Sequence, residues 1–301
     1  MLQVIVRLII GAAALFAAGY VQAADIKTGT FKTNDGYTLN YLEAGNGPTI
    51  VLIPGWSQTA AEFKDQFDLA DRFHVIAIDM RGNGGSSKGS YGYRIQRMSK
   101  DVHDFLVEKK LEDVTLVGHS MGSSIIWGYW DLFRNDRVRK IVLDDQIATC
   151  TAYPSWSAEQ RAQIGASRTP DLLYAAATDL QGANGEELTK KMLSGMFSKS
   201  FPKDEFDWVV AENMKLPREQ AARLLINHCT NDWRDILPTI NVPTLIIGGD
   251  ASFNKRATHE WLTSQIPGAR LVWFGADEGG SHFSFMENPK KFNAVIADFV
   301  K

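Results

Sequence analysis

A strand-to-helix turn at Gly118-His119-Ser120-Met121-Gly122 has the residue types and spacing of a serine nucleophile. An apolar run too short for a helix precedes it, and a second apolar segment follows directly. In such a G-x-S-x-G turn, small flanking residues let the backbone bend sharply and expose the serine at a helix N-terminus. The pattern predicts Ser120 as the nucleophile and the N–H of Met121 as an oxyanion donor. Taken alone, it also fits a glycine-rich turn with an incidental serine.

Patterns of strand and helix alternate on both sides of this turn. Residues 26–43 read as a hairpin around Asn34-Asp35-Gly36. Runs typical of strands in a parallel sheet recur at 48–53, 73–79, 113–118, 138–145, 243–250 and 269–274, and the first of them is continuously apolar, as in a strand buried on both faces. Segments with helical patterns separate them, the first at residues 60–69. The sequence therefore predicts an α/β fold with a mostly parallel eight-stranded sheet and helices on both faces.

The alternation stops between residues 149 and 236. This segment favours helix, is rich in Trp and Met, and contains no apolar run of the buried-strand type. We predict that it is a helical cap inserted after strand 6, with the core formed by residues 24–148 and 237–301. The apolar cap side chains expected to form a lid over the site are Trp156, Met192, Met196, Phe197, Phe206 and Trp208.

Composition is that of an ordinary globular protein. The chain has 301 residues, of which 45% are hydrophobic and 22% charged, with a formal net charge of −3. Neither sign of charge forms a long block, which argues against a nucleic-acid surface or a surface for anionic lipids. The overall charge favours small neutral or weakly charged substrates.

The first 23 residues have the pattern of a signal peptide. Arg7 precedes an apolar stretch at 8–18, and Val21-Gln22-Ala23 resembles a cleavage site with small residues. The pattern predicts an exported protein, periplasmic or secreted, with no stable membrane insertion after cleavage. An uncleaved anchor is the alternative, if Arg7 extends its charge to the membrane interface.

Two cysteines are present, Cys150 and Cys229. An exported protein meets an oxidising compartment, and the two residues fall near the ends of the predicted cap, so we expect a disulfide between them. Two buried free thiols are the alternative. No Cys-x-x-Cys or histidine-rich spacing predicts a metal site, and no motif predicts a cofactor.

Four segments in order resemble the α/β-hydrolase superfamily. They are Pro54-Gly55-Trp56, Asp79-Met80-Arg81-Gly82-Asn83-Gly84, the turn around Ser120, and Ser281-His282-Phe283 with Glu287-Asn288-Pro289. The likeness is greatest to its esterases, lactonases and cofactor-free haloperoxidases. The resemblance implies a serine hydrolase in which His282 is the base and the backbone N–H of Trp56 is the second oxyanion donor.

The acid of the implied triad is where the chain departs from that family. The usual aspartate lies two residues past the Gly-Asp of a G-D-x-D stretch, and here Gly249-Asp250-Ala251-Ser252 places Ser252 in that register. Some members carry the acid at the end of the sixth strand, which ends here in Asp144-Asp145. We predict Asp145 as the acid, with Asp250 and then Asp144 as alternatives. A strand-end pair that only caps the following turn remains a competing interpretation.

The expected reaction is hydrolysis of an ester or lactone through an acyl-enzyme on Ser120. The same fold also hosts cofactor-independent perhydrolases, haloperoxidases and dioxygenases, as well as ligand-binding relatives without catalysis. Dehalogenases and epoxide hydrolases are disfavoured, because their nucleophile is an aspartate at the position of Ser120.

Overall fold

The computed structural model describes residues 25–301, so the predicted signal peptide at 1–23 lies outside the described residues. One eight-stranded sheet occupies the centre, in the spatial order β1-β2-β4-β3-β5-β6-β7-β8. Its strands are β1 (Lys27–Lys32), β2 (Thr38–Ala44), β3 (Thr49–Ile53), β4 (His74–Ile78), β5 (Val114–His119), β6 (Val138–Asp144), β7 (Thr244–Gly249) and β8 (Arg270–Phe274).

Ten α-helices are found in the described part of the chain. They are α1 (Ile95–Glu108), α2 (Met121–Phe133), α3 (Ala158–Ile164), α4 (Pro170–Gln181), α5 (Gly185–Ser194), α6 (Lys203–Asn213), α7 (Arg218–Thr230), α8 (Arg256–Gln265), α9 (Ser284–Glu287) and α10 (Pro289–Val300). Within residues 25–301, none of the helices combines the length and the apolar character that crossing a membrane requires.

Strand pairing confirms the predicted sheet. β2 pairs antiparallel with both β1 and β4, and all other neighbouring strands are parallel. Apolar layers cover both faces: α1 and α2 pack on one face, and α10 packs on the other. The central strand β3 is covered on both sides, which explains why residues 50–53 are continuously apolar and fully buried.

The segment between β6 and β7 is helical, as its sequence pattern predicts. It contains α3 to α7, and α7 packs against α4 within it. One helix differs from expectation, because residues 60–69 do not form a regular α-helix. A 3₁₀ helix spans Ala60–Asp71, with non-helical torsion angles at Phe63. The buried Glu62 side chain accepts a hydrogen bond from the backbone N–H of Thr59 at 3.1 Å. This bond ties the first turn of the helix to the residue that precedes it.

Candidate active site

Ser120 lies on a strained turn between β5 and α2. Its φ of 52° falls in the left-handed region, which residues other than glycine rarely adopt. The flanking glycines allow the turn: a Cβ on Gly122 would lie 2.1 Å from the carbonyl oxygen of Ile53, and one on Gly118 would lie 2.5 Å from the carbonyl carbon of Gly122. The side chain of Ser120 does not cap α2. Its hydroxyl is therefore not committed to the helix.

The structure brings Asp145 and His282 together. Nδ1 of His282 lies 2.6 Å from Oδ2 of Asp145, and both side chains are almost completely buried. Donation from Nδ1 leaves the lone pair on Nε2 free to accept a proton. Among the hydrogen bonds of residues 25–301, none joins this nitrogen to Ser120 Oγ. Such bonds are often long without substrate and shorten in the complex.

Asp145 is held as an anion at the end of β6. Burial raises its pKa, but the contacts with His259 and His282 more than offset this and hold the pKa of Asp145 below its usual range. Nε2 of His259 lies 3.1 Å from Oδ1, although the angle is too poor for a hydrogen bond. Sequence reasoning missed His259, because nothing in the spacing of α8 links it to β6.

Ser252 occupies the position where the resembled family usually carries the acid, and its side chain contacts Asp145. Its hydroxyl donates to Oδ2 of Asp145 at 2.5 Å and accepts the backbone N–H of Asn254 at 3.0 Å. The side-chain amide of Asn254 donates to the backbone carbonyl of Asp145 at 3.1 Å. The loop after β7 therefore holds Asp145 in place and does not itself carry the carboxylate that contacts His282. The only sequence signal that this loop contacts the carboxylate was Ser252 at the position of the usual aspartate.

The other two candidate acids lie in different surroundings. Asp250 is exposed and accepts the indole N–H of Trp273 at 2.7 Å, away from His282. Asp144 is fully buried, and neither of its oxygens has a hydrogen-bond partner among residues 25–301. Burial and the neighbouring Asp145 raise the pKa of Asp144 well above its usual range, which favours its neutral form.

The two backbone donors predicted for the oxyanion lie on the loop after β3 and at the start of α2. A Cβ on Gly55 would lie 3.1 Å from Cβ of Ser120, so this loop runs directly against the nucleophile. In the described part of the chain, the N–H groups of Trp56 and Met121 have no protein acceptor. The indole N–H of Trp56 donates to the carbonyl of Ala221 at 2.8 Å, which ties the loop to α7.

A buried polar chain connects this loop to the catalytic histidine candidate. The ring nitrogens of His119 lie 2.7 Å from the carbonyl oxygen of His282 and 2.7 Å from Oε1 of Gln58. The same Gln58 oxygen accepts the N–H of Gly55 at 2.5 Å, and its amide donates to Glu62 at 2.9 Å. Burial and the neighbouring His282 lower the pKa of His119 to about 3. Burial raises the pKa of Glu62 to about 8.

A cavity of about 450 Å³ contains Ser120 in its wall. Of the six apolar side chains expected over the site, Met192 and Met196 line the cavity. Trp156 packs in a small cluster with Ile164, and the other three pack in the core, namely Phe197, Phe206 and Trp208. The backbone N–H of His282 donates to the carbonyl of Met196 at 3.1 Å. The cavity is therefore lined by residues of both the core and the helical segment.

A cluster of thiols and imidazole, made up of Cys150, His228 and Cys229, lies in the wall of this cavity. The three ligand atoms lie within 4.8 Å of one another, and both cysteines are free thiols. The Cys229 thiol and His228 hold the pKa of Cys150 well below its usual range. Two sulfurs and one imidazole nitrogen are a donor set that suits a soft metal such as zinc. The sequence predicted that Cys150 and Cys229 lie together, as a disulfide, whereas nothing in its spacing placed His228 beside them.

Comparisons with known proteins agree with this architecture. The sequence model of the alpha/beta hydrolase fold matches residues 48–289. A non-heme chloroperoxidase of Kitasatospora aureofaciens is 28% identical over 282 residues, which cover 89% of this chain and 98% of the relative. An esterase from Exiguobacterium antarcticum superposes with a TM-score of 0.81 at 25% identity, covering 90% of this chain and 98% of the esterase. An enol-lactonase from Burkholderia xenovorans superposes with a TM-score of 0.76 at 22% identity, covering 90% and 99%. The chain therefore belongs to the alpha/beta hydrolase fold family.

Proposed function

We propose that this protein is a serine hydrolase that cleaves a carboxylic ester or lactone through an acyl-enzyme on Ser120. The observation that carries the proposal is the buried 2.6 Å hydrogen bond between His282 and Asp145, behind a serine whose side chain is not committed to its helix. A carboxylate in this position fixes the histidine tautomer and stabilises the imidazolium that forms during reaction.

The steps follow from the positions of these groups. Ser120 Oγ attacks the carbonyl carbon while Nε2 of His282 takes its proton. The N–H groups of Trp56 and Met121 bind the oxyanion of the tetrahedral intermediate, since both lack a protein acceptor among residues 25–301. His282 then returns the proton to the leaving alcohol oxygen. Water, activated by the same nitrogen, hydrolyses the acyl-enzyme and releases the carboxylic acid.

Loss of the nucleophile tests this proposal. We expect Ser120→Ala to reduce hydrolysis of p-nitrophenyl butyrate by several orders of magnitude while the protein stays folded. A fluorophosphonate probe should label the wild type and leave Ser120→Ala unlabelled. Labelling of the variant, or an unlabelled and inactive wild type, would contradict a serine hydrolase.

Perhydrolysis is a second candidate, because the relative from Kitasatospora aureofaciens is named as a chloroperoxidase. The same acyl-enzyme can be attacked by hydrogen peroxide in place of water, which yields a peracid and returns the proton through His282. Peroxide-dependent halogenation of a dye in acetate buffer, lost in Ser120→Ala, would support it. Ester hydrolysis without any peracid formation would contradict perhydrolysis.

Export is also a proposal, supported by the charge and apolar pattern of residues 1–23. Expression of the full chain in a bacterial host should give a periplasmic protein whose first residue is Ala24. Sequencing of the mature N-terminus measures this. Recovery of the intact N-terminus from the membrane fraction would instead indicate an uncleaved anchor.

A further inference from the structure

Three cationic side chains line the cavity that contains Ser120, and no acidic side chain lines it. They are Arg161 on α3, Arg168 between α3 and α4, and Lys255 before α8. None of the three forms an ion pair among residues 25–301. By contrast Arg256, the residue after Lys255, lies outside the cavity and pairs with Glu260 at 3.0 Å. The three cationic side chains without an acidic partner are therefore found in the cavity wall, whereas the neighbouring Arg256 outside it is paired.

The contacts of Arg161 leave its charge unbalanced. Its guanidinium donates to the carbonyl oxygens of Trp156 at 3.1 Å and Pro154 at 3.2 Å. These neutral acceptors hold the side chain in place without a counter-charge. Arg168 lines the cavity and has no side-chain hydrogen bond within the described residues. A guanidinium with free donors next to a substrate cavity suits the binding of an anion.

From these groups we propose that the cavity binds a carboxylate on the substrate, so that the protein hydrolyses anionic esters or lactones. The inference rests on the proposed hydrolase function. It assigns Arg168 as the donor to the carboxylate, with Arg161 and Lys255 supplying further positive charge. The reacting carbonyl lies at Ser120 in the same cavity. Monoesters of dicarboxylic acids, and lactones with a pendant carboxylate, have the required chemistry.

Matched pairs of substrates test this assignment. On the acyl side we compare mono-p-nitrophenyl glutarate with p-nitrophenyl pentanoate, and on the alcohol side p-carboxyphenyl acetate with phenyl acetate. In at least one pair, kcat/KM should be about tenfold or more higher for the anionic ester, since a hydrogen bond to a charged group is typically that strong. The difference should lie mainly in KM, because the carboxylate is bound equally in the ground and transition states.

Variants identify the residues responsible. Arg168→Gln should raise KM for the preferred anionic ester about tenfold and leave its neutral partner unchanged. The matched control is Arg223→Gln, since Arg223 lies on α7 outside this cavity and pairs with the exposed Glu219. Equal kcat/KM within both pairs of esters, or an equal effect of Arg168→Gln on both members of a pair, would overturn the anion site.

A binding measurement separates this inference from the proposed hydrolysis. Calorimetry with Ser120→Ala and mono-p-nitrophenyl glutarate should detect binding that is lost when Arg168→Gln is added. If the wild type hydrolyses no ester but this binding is found, the proposed hydrolysis fails and the anion site stands. If the neutral esters are hydrolysed and the anionic ester binds no better than its neutral partner, the anion site is wrong and the hydrolysis stands.

Discussion

Asp145→Asn removes the negative charge that faces His282 while keeping the size of the side chain. In the structure Oδ2 of Asp145 faces His282 and Ser252, and Oδ1 faces His259. An asparagine with its oxygen in the Oδ2 position keeps both hydrogen bonds, and its amide can donate to neutral His259. The substitution should therefore preserve the orientation of His282 and mainly remove its electrostatic stabilisation.

The magnitude follows from the separation of the charges. An imidazolium and a carboxylate with charge centres about 4 Å apart attract by about 4 kcal/mol at an effective dielectric constant of about 20. Loss of that energy in the transition state corresponds to about 10³-fold in kcat. If the His282 ring also adopted the wrong tautomer, kcat would fall by about 10⁴-fold. We therefore expect a loss of between about 10³-fold and 10⁴-fold, measured with p-nitrophenyl butyrate near neutral pH.

Two aspartate controls accompany this measurement. Asp250→Asn changes an exposed side chain bonded to Trp273, and Asp144→Asn replaces a carboxyl whose neutral form is already favoured. Each should keep kcat within a few fold of the wild type, with folding checked by circular dichroism. A large loss in Asp250→Asn, or a loss of less than about tenfold in Asp145→Asn, would refute the assignment of the acid.

Three further predictions concern groups around the site. Ser252→Ala removes one hydrogen bond to Asp145 and should reduce kcat by about threefold to tenfold; an unchanged kcat would show that Ser252 is a bystander. Glu62 has its pKa raised to about 8 in the folded state, so the unfolded chain releases its proton first and the free energy of unfolding should fall as pH rises from about 4.5 to 8. Denaturant titrations should show this fall, at most about 1.4 kcal/mol per pH unit, flattened in Glu62→Gln. Cys150 and Cys229 are free thiols in the structure, with sulfur atoms within 4.8 Å of each other. In exported protein they should form a disulfide worth on the order of 4 kcal/mol in the chain-entropy model, and non-reducing mass spectrometry that finds two free thiols would reject it.

Local patterns predicted the fold well because the signals that define it are local. Apolar runs identify buried parallel strands, and the glycines around Ser120 are required by close backbone contacts, Gly122 with Ile53 of β3 and Gly118 with Gly122. The helix expected at residues 60–69 formed as a 3₁₀ helix interrupted at Phe63, although Glu62 caps its first turn.

The site was harder to predict, since its contacts join distant parts of the chain. Sequence register drew attention to Asp250, and only the structure shows that Ser252 donates to Asp145 from the same loop. His259 reaches Asp145 from α8, which no spacing in the sequence indicates. The net charge of −3 favoured neutral substrates, yet an average over the whole chain says nothing of three cations gathered in one cavity.

Because Asp145 follows β6, the loop between β7 and α8 does not have to supply the carboxylate that contacts His282. Asp145 follows β6, a central strand beside the one that ends at Ser120, so its placement depends on sheet geometry. Ser252 and Asn254 of the loop hold Asp145 by hydrogen bonds, while Phe253 and Lys255 line the cavity. Mutations of Phe253 and Lys255 can alter substrate choice without removing these hydrogen bonds. We expect this loop to be the place where selection, natural or in the laboratory, most readily creates new specificities.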